Sequence, residues 1–427
     1  MPLAILIPLA IARDILIPEK LPGPIFTIIE KFLSTLGFFC FIKLNILFTR
    51  RPLFLIFVCS FLTKKLLLTL KPIESFLPVK LIIKKSLTIL TFIVFLFGLN
   101  NSYTYAENID DYGIISIMYH RFDENKYPST NIKIQDFKAH IDLIKKSNIQ
   151  FISHKEFLET FNNSNSKKKI LLTIDDGFSS FYKKAWPILK EERIPFVIFI
   201  NTETIGSRGY MGWEEIKEIA SFDFVHIGNH SHSHDYLVDK KDSEIKKDLE
   251  TSIEIFKNKL KHETKLFAYP FGEYKESYKK IVKNLGFHYA FGQHSGVIDK
   301  TKDKFELPRF PINEKYGTIE RFKNLLNTIP FPYKEIIPKE RYLIEKNNPP
   351  KVKIIFFEDG FDLKNISCYS NEEDKWRKSK IKFEKKNELE IILQGKFITE
   401  RGRINCSLRE RDGSWRWLGV QFVISNL

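Results

Sequence analysis

The chain alternates short apolar runs with longer segments whose apolar residues recur every three or four positions. Gly113–Tyr119 (GIISIMY) predicts a buried strand, and Phe137–Lys145 a helix with Phe137, Ile141 and Ile144 on one side. Ile170–Ile174 predicts a second buried strand that stops at a pair of aspartates, followed by a helix over Tyr182–Glu192 and an apolar strand over Pro195–Ile200. A short helix at Trp213–Ala220, a strand at Phe224–Ile227 and an amphipathic helix at Asp242–Leu260 come next. Leu266–Tyr269 reads as a strand, Tyr274–Leu285 as a helix, and Tyr289–Phe291 and the stretch around Leu307–Phe310 complete the series. Alternation of this kind favours a parallel α/β architecture with crossover helices. A TIM-like (β/α) barrel is the expected fold. An open doubly wound sheet is the alternative, although no Gly-x-Gly-x-x-Gly follows the first strand.

Asn347-Asn348-Pro349-Pro350 marks a boundary, which makes 107–346 the expected barrel. Beyond it, Val352–Phe357, Ser379–Phe383, Leu389–Leu393, Arg403–Leu408 and Trp417–Val423 are short strand-like runs separated by polar turns such as Asp412-Gly413-Ser414. Residues 351–427 therefore predict a small antiparallel β domain of sandwich type. Trp415 and Trp417 alternate and share one strand face. Exposed, they would form a platform for stacking sugars; buried, they are core, which the small size of the domain favours. Cys368 and Cys406 both lie here, and either pair as a disulfide in an oxidising compartment or remain two buried thiols. No Cys-x-x-Cys spacing points to a structural zinc.

Charge adds little about partners once its distribution is considered. The net charge is +15, but residues 1–106 hold 12 basic and four acidic residues, about half of that surplus. A nucleic-acid reading is correspondingly weak. Within this region Lys84-Lys85, the apolar run Leu87–Leu99 and the ending Thr104-Tyr105-Ala106 have the layout of a secretory signal peptide over 84–106. Residues 1–83 would then be an untranslated upstream extension; membrane insertion is the alternative, with Leu36–Leu62 apolar enough to span but interrupted by Lys43, Arg50 and Arg51. Either version sends the part after Ala106 across a membrane, so a periplasmic, cell-surface or secreted location is expected.

Four segments carry the chemistry: Thr173-Ile174-Asp175-Asp176-Gly177, His230-Ser231-His232-Ser233-His234, Tyr269-Pro270-Phe271-Gly272 and Met118-Tyr119-His120. Paired aspartates before a glycine often cap a turn, yet at a strand end one carboxylate can bind metal while the other takes a proton. His230 and His234, four apart, would share a face on a helical turn and chelate one ion, with His232 pointing elsewhere. The bland reading of that cluster is a solvated polar loop. One aspartate and two histidines can hold a divalent ion and leave positions open for water and substrate.

These segments resemble the motifs of the NodB-type polysaccharide deacetylases (carbohydrate esterase family four). Thr173–Gly177 is similar to the first motif, His230-Ser231-x-x-His234 to the second, and Tyr269–Gly272 in part to the third, Arg-x-Pro-aromatic-Gly. The likeness runs from about Ile114 to about Asn313. The strand ending in Tyr119-His120 ahead of the aspartate motif is similar to the poly-N-acetylglucosamine deacetylase branch. What the resemblance implies is a distorted (β/α) barrel that removes acetyl groups from an N-acetylglucosamine-containing exopolysaccharide. Asp176, His230 and His234 would bind the metal, with zinc first and cobalt, nickel or iron(II) behind it. Asp175 would be the general base, His120 the general acid, and the Phe271 N–H an oxyanion donor. Tyr269, Pro270, Gly272 and His294 would face substrate, His294 doubling as a reserve acid or else an ordinary loop histidine. Ala268 stands where the family has an arginine beside the catalytic aspartate, and Arg309 is the candidate to replace it. The rival function is a polysaccharide-binding module on a barrel weakened by that loss.

Overall fold

A computed structural model describes residues 112–424 apart from 162, 164–166 and 358–361. The signal-peptide and upstream-extension expectations fall outside these residues. Among the described residues no helix is long and apolar enough to cross a membrane.

Six parallel strands form the centre of the fold: β1 (Ile114–Tyr119), β2 (Lys169–Asp176), β3 (Phe196–Ile200), β4 (Val225–Asn229), β5 (Leu266–Ala268) and β6 (Tyr289–Phe291). Their near-continuous apolar runs suit strands covered on both faces. They lie side by side in chain order. A doubly wound sheet needs a reversal of strand order, and this one has none. Instead the sheet curls into a half-barrel. β7 (Val297–Ile298) pairs antiparallel with β1, and β8 (Phe310–Pro311) pairs parallel with it. Leu307 bridges Phe291 of β6, so the segment 307–311 touches both edges of the curl.

The crossover helices cover the outside with apolar stripes. In α1 (Ile134–Lys146) the buried positions are Phe137, His140, Ile141 and Ile144, a helical 3–4 spacing. The others are α2 (Trp186–Glu191), α3 (Trp213–Ala220), α4 (Asp242–Leu260) and α5 (Glu276–Asn284). At the start of α3 the Glu215 carboxylate accepts the Gly212 N–H at 2.8 Å, supplying a partner that the helix end lacks. Trp213, at the head of this helix, packs against the barrel core.

β2 runs through the aspartate pair rather than stopping before it. Asp175 and Asp176 stand opposite Phe199 and Ile200 of β3. The chain turns only at Asp176 and Gly177, with φ of 74° and 80°.

After α6 (Ile319–Leu326), two further sheets share one apolar cluster. One contains β9 (Thr328–Ile329), β11 (Tyr342–Leu343), β13 (Ser367–Ser370), β16 (Arg401–Arg409) and β17 (Trp415–Ile424). The other contains β10 (Glu335–Ile337), β12 (Val352–Ile355), β14 (Lys380–Lys385) and β15 (Glu388–Ile392). Most pairs are antiparallel, but β9 and β11 join β17 in parallel. These pairings begin well before Asn347. Cys368 and Cys406 are paired residues on β13 and β16 and are joined by a disulfide. Trp417 is half-buried, with its ring 6.3 Å from that of Phe310 in the barrel, whereas Trp376 is 50% exposed.

Away from the aspartate pair in sequence, His154 stacks on His226 of β4 with ring centroids 3.9 Å apart, and His262 stands 5.0 Å from His226. Burial pushes His226 down to about 2, with His154 and His262 adding to it. The unfolded chain takes up protons as pH falls through about 6.5, while folded His226 does not until far lower, so its contribution to stability is lost progressively below that pH. The expected outcome is a His226→Gln variant whose unfolding free energy falls less steeply between pH 6.5 and 4, by up to about 1.4 kcal/mol per pH unit. Denaturant melts at pH 7, 5.5 and 4 measure this, and parallel pH slopes for the two proteins would refute it.

Candidate active site

The chemistry-bearing segments converge at the carboxyl ends of the parallel strands, where barrel enzymes build their sites. His120 follows β1, Asp175 and Asp176 end β2, His230 follows β4, and the Tyr269–Gly272 turn follows β5. Arg309 immediately precedes β8.

Asp175 is fully buried and held by a two-pronged ion pair. Arg309 Nη1 donates to its Oδ1 at 2.7 Å and Nη2 to its Oδ2 at 2.8 Å. The same guanidinium donates from Nε to the Gly292 carbonyl at 2.9 Å. Planar fork-to-fork pairing of this kind fixes orientation as well as charge. Burial works against the Asp175 charge, but Arg309 first, then His230 and His120, holds its carboxyl below the usual range. The curl of the sheet thus delivers to Asp175 an arginine that Ala268 cannot supply.

Asp176, His230 and His234 offer three ligand atoms within 4.8 Å of one another. His230 Nε2 lies 3.4 Å and His234 Nε2 3.1 Å from Asp176 Oδ1. Yet Asp176 Oδ1 and His230 Nε2 are buried with no hydrogen-bond partner. His230 Nδ1 meets the Ala268 carbonyl at 2.7 Å, so the proton sits on Nδ1 and the Nε2 lone pair faces the carboxylate. Orphaned acceptors that converge like this fit a divalent cation, and a carboxylate with two imidazoles suits zinc and its neighbours.

The two histidines do not share a helical face as their spacing predicts. Residues 230–234 form a loop in which Ser231 and His234 have φ of 70° and 58°. Its shape is imposed from outside. Asp248 accepts the N–H groups of His232 and Ser233 at 2.8 and 3.0 Å. Ser231 Oγ accepts the His234 N–H at 3.1 Å, and Asn229 Oδ1 accepts the Ser231 N–H at 2.9 Å. Ser252 Oγ donates to the Ser231 carbonyl at 3.1 Å. His232 points away, its Nδ1 against Thr202 Oγ1 at 2.8 Å. Sequence reasoning missed Asp248 and Ser252. The available signal was a serine on the buried stripe Ile245, Leu249, Ser252, Phe256 of α4, where an apolar residue belongs.

His120 faces the same space. Its Nδ1 is enclosed without a partner, and it lies in the field of both Asp176 and Asp175. Burial holds its imidazole below the ordinary value, and the two carboxylates offset only part of that. The Pro270–Gly272 turn places Phe271 at φ 58°, with its ring 4.6 Å from that of His234. Tyr236, 43% exposed, stacks on Phe271 at 4.3 Å.

Two expected substrate contacts are not brought to the site. Tyr269 is fully buried among Phe267, Tyr274 and Tyr278, and its hydroxyl donates to the Phe305 carbonyl at 3.0 Å. Its strand parity turns the ring into the core. His294 contributes its carbonyl to the Arg309 N–H at 2.9 Å, while its ring stands 6.3 Å from Tyr274. Burial pushes that imidazole down to about 4. Pro270 and Gly272 are buried and shape the turn through their backbone.

Residues 162–290 match the family model "Polysaccharide deacetylase". That stretch of the chain is similar to the family and contains the aspartate pair and both candidate histidine ligands. Among curated relatives, the poly-β-1,6-N-acetyl-D-glucosamine N-deacetylase of Staphylococcus epidermidis is 25% identical over 205 residues, covering 43% of this chain and 69% of the relative. Among solved structures, IcaB of Ammonifex degensii is 24% identical with a TM-score of 0.46, covering 51% of this chain and 97% of its own. The Streptococcus pyogenes deacetylase PplD in complex with acetate is 21% identical with a TM-score of 0.47, covering 51% and 99%. The arginine paired with Asp175 comes from the segment between β7 and β8, while Ala268 ends β5.

Proposed function

We propose that this protein is an exported, metal-dependent hydrolase that removes N-acetyl groups from an N-acetylglucosamine-containing polysaccharide, with a β-1,6-linked polymer as the first candidate. The observation that carries this reading is the pairing of two functions on adjacent residues: orphaned Asp176 and His230 beside His234, and Asp175 locked by Arg309. The relative from Staphylococcus epidermidis points to the polymer, and the Cys368–Cys406 disulfide favours an oxidising compartment.

Asp176, His230 and His234 would hold the ion, which when bound supplies Lewis-acid polarisation of the acetamide carbonyl and makes water more acidic. Asp175 is the general base: it accepts a proton from the attacking water, while Arg309 keeps it ionised and aimed. Water oxygen bonds to the acetyl carbon and pushes the carbonyl π electrons onto oxygen; collapse of that oxyanion then breaks the carbon–nitrogen bond. The Phe271 N–H donates to the developing oxyanion. His120 passes a proton to the leaving nitrogen, a step for which it has to take up that proton against the effect of its burial, so the products are acetate and an amino sugar. Ala268 motivates a reading as an inactive binding module, but the Arg309 pair removes that motive.

The test is acetate release by the full chain from poly-β-1,6-N-acetylglucosamine and chitin oligomers. Release that a chelator abolishes and zinc or cobalt restores is expected. Stoichiometric metal with no acetate from any polymer would overturn the enzyme in favour of the binding module.

A further inference from the structure

The turn that carries the Phe271 N–H is unfavourable by itself. Phe271 and Gly272 both have positive φ, 58° and 72°, and a non-glycine residue there persists only where its surroundings hold it. From the barrel, the turn has the Gly272 N–H on the Tyr269 carbonyl at 2.8 Å and the Glu273 N–H on the Pro270 carbonyl at 3.1 Å. Further partners come from the two-sheet C-terminal part. Gln421 Nε2 of β17 donates to the Gly272 carbonyl at 3.3 Å. Arg401 Nε of β16 donates to Glu273 Oε1 at 2.7 Å, and its guanidinium lies over the Phe271 ring at 5.5 Å from the centroid.

The turn's partners are largely buried on the barrel side. Gln421 is 1% and Glu273 2% exposed, while the Arg401 side chain keeps 22%. Burial pushes the Glu273 carboxyl up to about 7 against the pull of Arg401, so what fixes the turn here is the placed 2.7 Å contact rather than a full ion pair. There is no slack behind the turn, because a Cβ on Gly272 would lie 2.5 Å from Gln293. The same strand supports the second arm of the site. The Gly419 N–H of β17 donates to the Ser295 carbonyl at 2.7 Å. A Cβ on Gly419 would lie 2.6 Å from that oxygen, so the approach is one only glycine permits. Ser295 belongs to the loop whose Gly292 and His294 carbonyls accept from Arg309 Nε and N. One β element therefore backs both the oxyanion turn and the arginine that aims Asp175.

We propose that the C-terminal β part is a clamp on the active site, with Arg401 and Gln421 as positioning residues that hold the Pro270-Phe271-Gly272 turn beside the Asp176–His230–His234 cluster. Its catalytic consequence rests on the deacetylase reading; its structural half does not. Neither residue touches the reacting atoms, so each acts through the turn.

The experiment uses the full chain and compares Arg401→Gln, Arg401→Lys and Gln421→Met with the wild type. Backbone hydrogen exchange is read at Phe271–Glu273, together with kcat and KM for acetate release, bound metal and thermal midpoint. Arg401→Gln is expected to raise exchange at the turn about tenfold or more while that of β2 and β3 stays the same. It should lower kcat roughly tenfold with KM and metal content within about twofold. Arg401→Lys should recover part of both, because it restores the contact with Glu273 without the flat guanidinium over Phe271. Gln421→Met, a change of similar volume, should give the same pattern at smaller size, and it decides the matter if Arg401→Gln does not fold. Folded variants with wild-type exchange at the turn, or with raised exchange and unchanged kcat, would overturn the clamp. A wild type that releases no acetate while its turn still responds to these variants would refute the deacetylase reading and leave the clamp standing.

Discussion

Asp175→Asn is expected to lower kcat for acetate release by roughly 10²–10⁴-fold while bound metal stays at the wild-type level. The substitution is nearly isosteric but removes the proton acceptor. The candidate ligand atoms belong to Asp176, His230 and His234, so the cation site is not dismantled. An asparagine oxygen can still accept from one arm of Arg309, but its amide would face the other, where Nη2 donates to Asp175 Oδ2 at 2.8 Å. Part of a buried ion pair is thus lost, and stability should fall by roughly 3 kcal/mol. Steady-state kinetics, metal analysis and a denaturant melt on one preparation separate these effects. A folded, metal-loaded Asp175→Asn protein with near-wild-type kcat would remove Asp175 from the role of base.

Arg309→Met is expected to be more damaging to the fold, by about 3–5 kcal/mol. Arginine and methionine are both long and flexible, so the change leaves little void. It leaves instead a fully buried carboxylate with no cation, and the Gly292 carbonyl without its donor. Burial is the largest influence on the Asp175 carboxyl and pushes it up; with Arg309 gone, the strongest opposing influence is gone too. Arg309→Lys should recover only part, since a lysine cannot present two parallel donors. The decisive comparison is the double variant Asp175→Asn/Arg309→Met, which removes both charges. It should be more stable than Arg309→Met alone, because the penalty lies in the unpaired charge rather than in lost packing. If Arg309→Met melts with the wild type, the buried pair does not hold this part of the site.

How much of this was legible in the sequence differs by feature, for reasons that can be named. The parallel strands and crossover helices were legible because strands covered on both faces need unbroken apolar runs such as Phe196–Ile200, and covering helices need a one-sided stripe. Helices α3 and α4 and strand β6 fall within the bounds that pattern predicts. Short strands such as β9 and β11 were not legible. Two-residue segments carry no period, and they are strands only because β17 lies alongside them. The histidine spacing anticipated that His230 and His234 converge, but on a helical face they do not share. Their convergence is made by a loop tied down by Asp248, Ser231 and Asn229, not by a helical turn.

By itself the sequence determined the chemical inventory and the class of fold: which strands are buried, that the aspartates, histidines and Phe271 turn stand at strand ends, and hence that a hydrolytic metal site was in prospect. Local chemistry suffices for this, because strand burial and motif spacing are written in neighbouring residues. Only the tertiary structure decided which distant side chains meet. The curl of the sheet carries Arg309 to Asp175 in place of Ala268, the core claims Tyr269, and β16 and β17 lay Arg401 and Gln421 against the turn. Contacts between residues far apart in the chain depend on how whole sheets curve and dock, and no local pattern encodes that.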